Sequence, residues 1–236
     1  MNKFIFDVDG TLTPSRGLID PTFKKFFNDF CRANPVYLVT GSDKPKTVEQ
    51  LGKDTYNLCH TVYNCNGNNV WQSNKLVRTN DWALPKNTHE WLSEKLTNSR
   101  FPLRTGLHFE YRPGMVNFSI VGRNANLEQR KQYIAWDTKY NERNYIANSF
   151  NLIFSDVEAR PGGETGIDIT PRGADKSQIL TDFDDSDHIV FFGDRMDETG
   201  NDYPLALANY NGVNYHVEGW AETWEILQNE YSSNRS

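Results

Sequence analysis

Phe4-Ile5-Phe6-Asp7-Val8-Asp9-Gly10-Thr11 is the stretch on which the fold turns. An apolar triplet that ends at a carboxylate reads as a buried parallel strand whose C-terminal edge opens onto a site. Val36 to Val39 repeats that design and ends at Thr40-Gly41-Ser42. Between the two, Pro21 to Ala33 places Phe23, Phe26, Phe27 and Phe30 at helical spacing, and Asn34-Pro35 ends the pattern. This is one β-α-β unit. A third such strand, His188 to Phe192, runs into Gly193-Asp194 near the other end of the chain, so both ends of the sequence build one core.

The middle follows a different rule. From Leu107 to Val121 two alternating segments succeed each other, with Phe109 and Tyr111 apolar against His108, Glu110 and Arg112. Pro113-Gly114 supplies the turn. In the second segment Phe118 and Ile120 oppose Asn117, Ser119 and Arg123, whose odd parity places them on one polar face. Leu127 to Phe150 reads as one long helix. Gly166-Ile167-Asp168-Ile169-Thr170 is another alternating strand, with Asp168 on its polar side. The fold class expected is α/β: a Rossmann-like parallel-sheet core from residues 1–80 and 173–236, with residues 81–172 inserted as an α/β cap that carries specificity. No internal repeat or low-complexity segment is present, and the Ser232 to Ser236 tail reads as disordered.

A chain of 236 residues is long enough for a core with a smaller inserted domain. With 37% hydrophobic residues it has no stretch near the roughly 20 apolar residues that span a bilayer. Met1 leads straight into the first strand, without a basic region and a cleavable apolar segment. Cys31, Cys59 and Cys65 have neither zinc-like nor redox-like spacing, and their odd number argues against a disulfide framework. A reducing, cytoplasmic location is the expectation. The formal charge of -6, from 31 acidic and 25 basic residues, repels nucleic acid and anionic membranes, so an anionic substrate needs a local cationic pocket.

Asp7 and Asp9 stand at i and i+2 on a glycine-containing turn at the end of a strand. One carboxylate can attack phosphorus while the second donates or accepts the proton of the leaving oxygen. Alone, Asp-x-Asp better suits a polar turn that caps a strand. Thr40 can donate to a phosphoryl oxygen, or sit in an ordinary helix N-cap region. Lys176 opens a helix and can offset the charge of phosphate and Asp7 together. Asp194, followed by Gly200-Asn201-Asp202, ends the third strand with oxygen ligands suited to magnesium. A calcium loop is excluded, because its ligand spacing and closing glutamate are absent.

With these four pieces in order, the chain resembles the haloacid dehalogenase superfamily. Asp7 to Arg16, DVDGTLTPSR, is similar to the signature of the eukaryotic-type phosphomannomutases, which usually have alanine where Ser15 sits. Arg112-Pro113-Gly114-Met115-Val116-Asn117, then Gly122-Arg123 and Arg130, resembles the family's Arg-x-Gly-Met-x-Asn run. Gly162-Gly163 through Asp168 to Asp175-Lys176, and Phe191 to Asp202, match as well, so the resemblance spans nearly the whole chain. It implies Asp7 as phosphorylated nucleophile and Asp9 as general acid/base, with Thr40 and Lys176 completing the catalytic set. Asp7, the Asp9 backbone carbonyl and Asp194, with Asn201 and Asp202, would surround Mg2+. Arg16, Arg112, Arg123 and Arg130, with Asn117, would hold the phosphate that is not reacting, and Asp168 would contact sugar hydroxyls. The chain departs from the pattern at Gly166, where serine is usual, at Ala174, where tryptophan is usual, and in the acidic run Arg195 to Thr199.

A mutase holds a sugar bisphosphate by either end, so it needs a second anion site, and guanidinium groups suit phosphate through paired hydrogen bonds. The resemblance implies interconversion of mannose 6-phosphate and mannose 1-phosphate, with a sugar 1,6-bisphosphate as activator and a homodimer formed through caps. Two alternatives share the same residues: a hydrolase that releases phosphate from a sugar phosphate, and a sugar-phosphate-binding module without catalysis. His60, His89, His108, His188 and His216 form no ligand spacing. The six tryptophans suit packing, with Trp71 and Trp82 left as candidate sugar platforms near the hinge.

Overall fold

The computed structural model describes residues 2–231. The tail Ser232 to Ser236 lies outside the described residues. The opening strand β1 (Asn2–Phe6) sits inside a seven-stranded sheet. It is followed by α1 (Pro21–Ala33), β2 (Val36–Val39), α2 (Lys44–Leu51), α3 (Lys53–Leu58), β3 (Thr61–Asn64), β4 (Asn69–Gln72) and β5 (Lys75–Thr79). After a long excursion the chain returns with β10 (His188–Gly193), α7 (Tyr203–Ala208), β11 (Val213–His216) and α8 (Trp220–Ile226). The strand order is β11-β10-β1-β2-β3-β4-β5, parallel from β11 to β3 and antiparallel at β4 and β5.

Strand parity explains the core. Phe4 and Phe6 project to the face covered by α1, where Phe6 meets Phe27 edge-on at 5.2 Å and stacks on Phe192 at 4.8 Å between ring centroids. Ile5 projects to the opposite face, among Tyr37, Val39, Phe191 and Leu205. Each such buried side chain contributes about 1.5–3 kcal/mol relative to exposure. Helix α1 starts where expected because the Asp20 carboxylate accepts from Thr22 N and Phe23 N, ahead of Pro21 in the first turn. The hairpin β4–β5 and strand β11 carry no such signature; β5 is exposed along its whole length, so burial left no alternation to read.

The excursion forms a second, antiparallel sheet. Its elements are α4 (Lys86–Asn98), β6 (Phe109–Arg112), β7 (Met115–Phe118), α5 (Leu127–Tyr140), α6 (Glu142–Ile153), β8 (Val157–Gly162) and β9 (Gly166–Pro171). The order is β6-β7-β9-β8. Phe118, Ile167 and Ile169 pack under Tyr133, Ile146 and Phe150 of α5 and α6. The register sets Glu110, Asn117, Asp168 and Arg160 side by side across all four strands.

Two details differ from the sequence reading. The long helix is two helices, broken at Asn141, whose left-handed conformation (φ 53) a short amide side chain tolerates. The break lets Arg143 N and Nε both reach Asp137, at 2.8 Å each. Tyr111 has inward parity but is 59% exposed, because β6 is the edge strand and none of the described elements covers its outer end. Among the described residues no helix is long and apolar enough to cross a membrane.

Candidate active site

The strand order reverses at β1: the chain moves outward through β2 and β3 on one side and returns through β10 on the other. Ligands of open α/β sheets bind at such a switch, outside the carboxyl ends of the strands. Asp7 follows β1, Thr40 follows β2 and Asp194 follows β10, so the sheet itself brings the three together. Asp7 N still donates to Phe192 O at 2.9 Å, which carries the ladder into the turn.

Lys176 opens a 3-10 segment over Lys176–Asp182 rather than an α-helix, because Asp175 holds its start through Ser177 N and through Gln178 N three residues on. Its ammonium is fully buried and donates to Asp7 Oδ1 and to Asp202 Oδ1, both at 2.6 Å. Burial by itself would lower this ammonium; Asp202 and Asp7 outweigh it and raise it, so it stays charged. One cation faces three acids, since Asp7, Asp194 and Asp202 place carboxylate oxygens within 4.8 Å of one another. Burial pushes the Asp7 carboxyl well above the usual carboxylate range, against the pull of Lys176 and with the push of Asp202 and Asp194. Burial and Asp202 push Asp194 up to about 7. Such a surplus of buried negative charge, on hard oxygen donors, fits a divalent cation. Asp202 is the rear member, because its other oxygen accepts from Arg195 N at 3.0 Å. Asn201 lines the same cavity. The Asp9 side chain stands apart from the acid cluster: its Oδ1 accepts from Arg16 N at 2.5 Å and from Gln50 Nε2 at 2.9 Å.

The polar face of the second sheet lines the same cavity, whose volume is about 220 Å³. That is below the roughly 300–1,000 Å³ common for drug-sized ligands and suits a small one. Arg16, Arg112, Arg123 and Arg130 all reach it, with Asn117 and Asp168. Arg112 donates to Gly41 O at 2.5 Å and to Glu110, so it ties the second sheet to the turn after β2. Burial lowers the Arg112 guanidinium, and Glu110 and Asp168 outweigh it and raise it. Glu110 also pairs with Arg123. Arg130, 6% exposed, meets Glu164 at 2.8 Å and Thr165 at 3.2 Å. Arg16, held with a left-handed backbone (φ 58), is lowered by burial and by its neighbours Arg130 and Arg112. Guanidiniums that repel one another in a small cavity are an anion site. Asn117 Nδ2 donates to Asp168 Oδ1 at 2.6 Å, and the buried Asn117 Oδ1 has no partner among the described residues. Burial raises Asp168, against Arg112. A Cβ at Gly162 would overlap the Asp168 carboxylate.

The structure therefore brings all thirteen residues named from the sequence to one region, as cavity lining or directly behind it. It adds Glu110, Gln50, Glu164 and Arg143, which the sequence reading did not single out. Glu110 was legible as an acid that shares strand parity with Arg112 two residues on; the other three carry no comparable local signal. Trp71 is not part of the cavity and lies under Lys44, 3.3 Å from ring centroid to Nζ, and Trp82 packs on the core of the second sheet.

A mostly parallel sheet with acids at its carboxyl ends, facing a second sheet across a cavity, is the architecture of the haloacid dehalogenase superfamily. The chain matches a haloacid dehalogenase-like hydrolase from Bacteroides thetaiotaomicron with a TM-score of 0.56 at 15% identity, over 96% of this chain and 100% of that one. The narrower assignment rests on sequence: the chain belongs to the eukaryotic phosphomannomutase family, whose model matches residues 23–233. A phosphomannomutase of Spinacia oleracea is 34% identical over 216 residues, 85% of this chain and 84% of the relative. One of Dendrobium officinale is 31% identical over 214 residues, 85% and 83%.

Proposed function

We propose that the protein is a magnesium-dependent phosphomannomutase that interconverts mannose 6-phosphate and mannose 1-phosphate. The observation that carries the reading is a single cavity shared by a buried carboxylate–lysine pair on one sheet and a cluster of arginines reaching in from the other. Asp7 attacks the phosphorus of a sugar 1,6-bisphosphate; the O–P bond to the sugar breaks, and Asp9 delivers a proton to the departing sugar oxygen. In the reverse sense Asp9 takes the proton of the other hydroxyl as that oxygen attacks the aspartyl phosphate, which regenerates Asp7. Lys176 offsets the charge of Asp7 and the phosphoryl group, and the Thr40 hydroxyl donates to a phosphoryl oxygen.

Mg2+ would be held by Asp7, the Asp9 carbonyl and Asp194, with Asn201 beside them and Asp202 behind. When bound it supplies positive charge to the phosphoryl oxygens. Arg16, Arg112, Arg123, Arg130 and Asn117 hold the phosphate that is not reacting, and Asp168 takes sugar hydroxyls. That distal grip lets the sugar phosphate present either end to Asp7. In this reading residues 81–172 form a cap that closes on the core of residues 1–80 and 173–236, excludes water from the aspartyl phosphate and opens to exchange sugars. A homodimer through the cap, where Leu107 and Tyr111 are exposed, goes with the reading, as does a cytoplasmic location for three free, buried cysteines.

The test is incubation of the protein with mannose 1-phosphate, Mg2+ and a sugar 1,6-bisphosphate. The expected product is mannose 6-phosphate, with isomerisation dependent on the bisphosphate. Release of free phosphate without isomerisation would make the protein a hydrolase.

A further inference from the structure

The Asp9 carboxylate is gripped by an element that none of the expected catalytic residues belongs to. Gln50, near the end of α2 and 1% exposed, donates from Nε2 to Asp9 Oδ1 at 2.9 Å and to Thr13 Oγ1 at 3.2 Å. The orientation of this amide is not arbitrary. Thr13 Oγ1 spends its proton on Val8 O at 3.2 Å, so it faces Gln50 as an acceptor, and an ionised carboxylate is only an acceptor. Two acceptors demand the NH2 group, and the opposite flip would set three oxygens against one another.

The cost of this arrangement is visible, because Gln50 Oε1 is buried without a partner among the described residues. An orphaned buried acceptor gives up its bonds to water and regains none. A methionine or leucine would fill the site without it, so the amide is held there by what its donors do. The Gln50 backbone helps as well: its carbonyl accepts from Ile19 N at 3.0 Å, which fixes the far end of the loop that carries Asp9 and Arg16.

Asp9 Oδ1 accepts a second bond, from Arg16 N at 2.5 Å. With Oδ1 doubly occupied, Oδ2 is the oxygen left over, and it accepts a long bond from Ser42 Oγ at 3.4 Å, on the cavity lining. We infer that Gln50 is a positioning residue that commits Asp9 Oδ1 to the protein, so that Oδ2 alone exchanges the proton with the sugar oxygen. The same two bonds tie the turn holding Asp9 to α2 and to the backbone of Arg16. This inference rests on Asp9 being the acid/base group of the proposed function.

Leaving-group dependence provides the test. A sugar oxygen departs with a proton, whereas the nitrophenolate of p-nitrophenyl phosphate departs without one. A purely structural defect would slow both. Gln50→Met keeps length and volume while removing the donors. The expected result is a fall of about 10–100-fold in kcat for mannose 1-phosphate, the scale of lost supporting contacts, with less than about threefold change in the single-turnover rate of nitrophenolate release, which precedes hydrolysis of the aspartyl phosphate, and KM for the sugar phosphate nearly unchanged. Equal losses on both substrates, or no loss on either, overturns the inference. Gln50→Glu, which sets an acceptor against Asp9, carries the same comparison if the methionine variant does not fold. Asp9→Asn is measured alongside. If it spares the sugar phosphate, the acid/base reading fails; if it shows the leaving-group selectivity and both Gln50 variants do not, Gln50 alone is misassigned.

Discussion

Replacing Lys176 with methionine removes the one cation buried among three acids. The Lys176 ammonium is fully enclosed and 2.6 Å from both Asp7 and Asp202, so no solvent takes its place. Breaking a buried pair by removing one partner costs about 3–5 kcal/mol, because the remaining charge is uncompensated. That is a large share of the roughly 5–15 kcal/mol by which a native chain is stable. The variant has one escape, which is to bind a proton. Its carboxyls then have folded-state pKa values raised further above the unfolded value of about 3.9, so the folded variant takes up protons first as pH falls. Each pH unit travelled with one extra proton bound restores about 1.4 kcal/mol. Metal-free Lys176→Met is therefore about 3–5 kcal/mol less stable than the parent at pH 8, and this deficit shrinks to about half or less at pH 5.5. Urea denaturation at the two pH values, with chelator present, measures it. A deficit below about 1 kcal/mol, or one that does not change with pH, would refute the reasoning.

The metal-free parent should itself lose stability as pH rises from about 4 towards 7. Asp194 has its folded pKa pushed up to about 7 by burial and Asp202, so the folded state holds an extra proton below that value and loses the advantage as pH rises through it. Added Mg2+ should remove most of this slope; a flat metal-free profile between pH 4 and 7 would contradict the acid cluster as a cation site. Arg123→Ala should lower kcat/KM for mannose 1-phosphate by roughly a hundredfold, the loss of charge-assisted bonds to phosphate, while leaving turnover of a small aryl phosphate within about threefold. Equal losses on both would remove Arg123 from the distal phosphate site.

The parts of the site that could be read from sequence are those set by strand ends and strand parity. Asp7, Thr40 and Asp194 each follow a short apolar run, and a parallel sheet necessarily brings the carboxyl ends of its strands to one edge. Asn117 and Asp168 fall opposite each other because both sit at polar positions of paired strands. Gln50 is different in kind: its partner Asp9 lies 41 residues away, and a glutamine at the end of an amphipathic helix looks like any solvated residue until the tertiary fold buries it. Arg143 depends on the break at Asn141, and asparagine announces a left-handed turn far less strongly than glycine. Glu164 is visible as a residue beside two glycines, but its pairing with Arg130 depends on where α5 lands on the sheet. Tyr111 shows the limit of parity, which assigns a face and says nothing of whether another element covers it.

Everything in the proposed reaction passes through one covalent bond between phosphorus and the Asp7 carboxylate. Brief exposure of the protein to a sugar 1,6-bisphosphate with Mg2+, followed by acid quench, proteolysis and mass spectrometry, locates it. The expected result is a single phosphoryl group on the peptide carrying Asp7, absent from Asp7→Asn and lost on chase with mannose 1-phosphate as bisphosphate forms. A phosphoryl group on another residue, or isomerisation that continues in Asp7→Asn, would contradict the account.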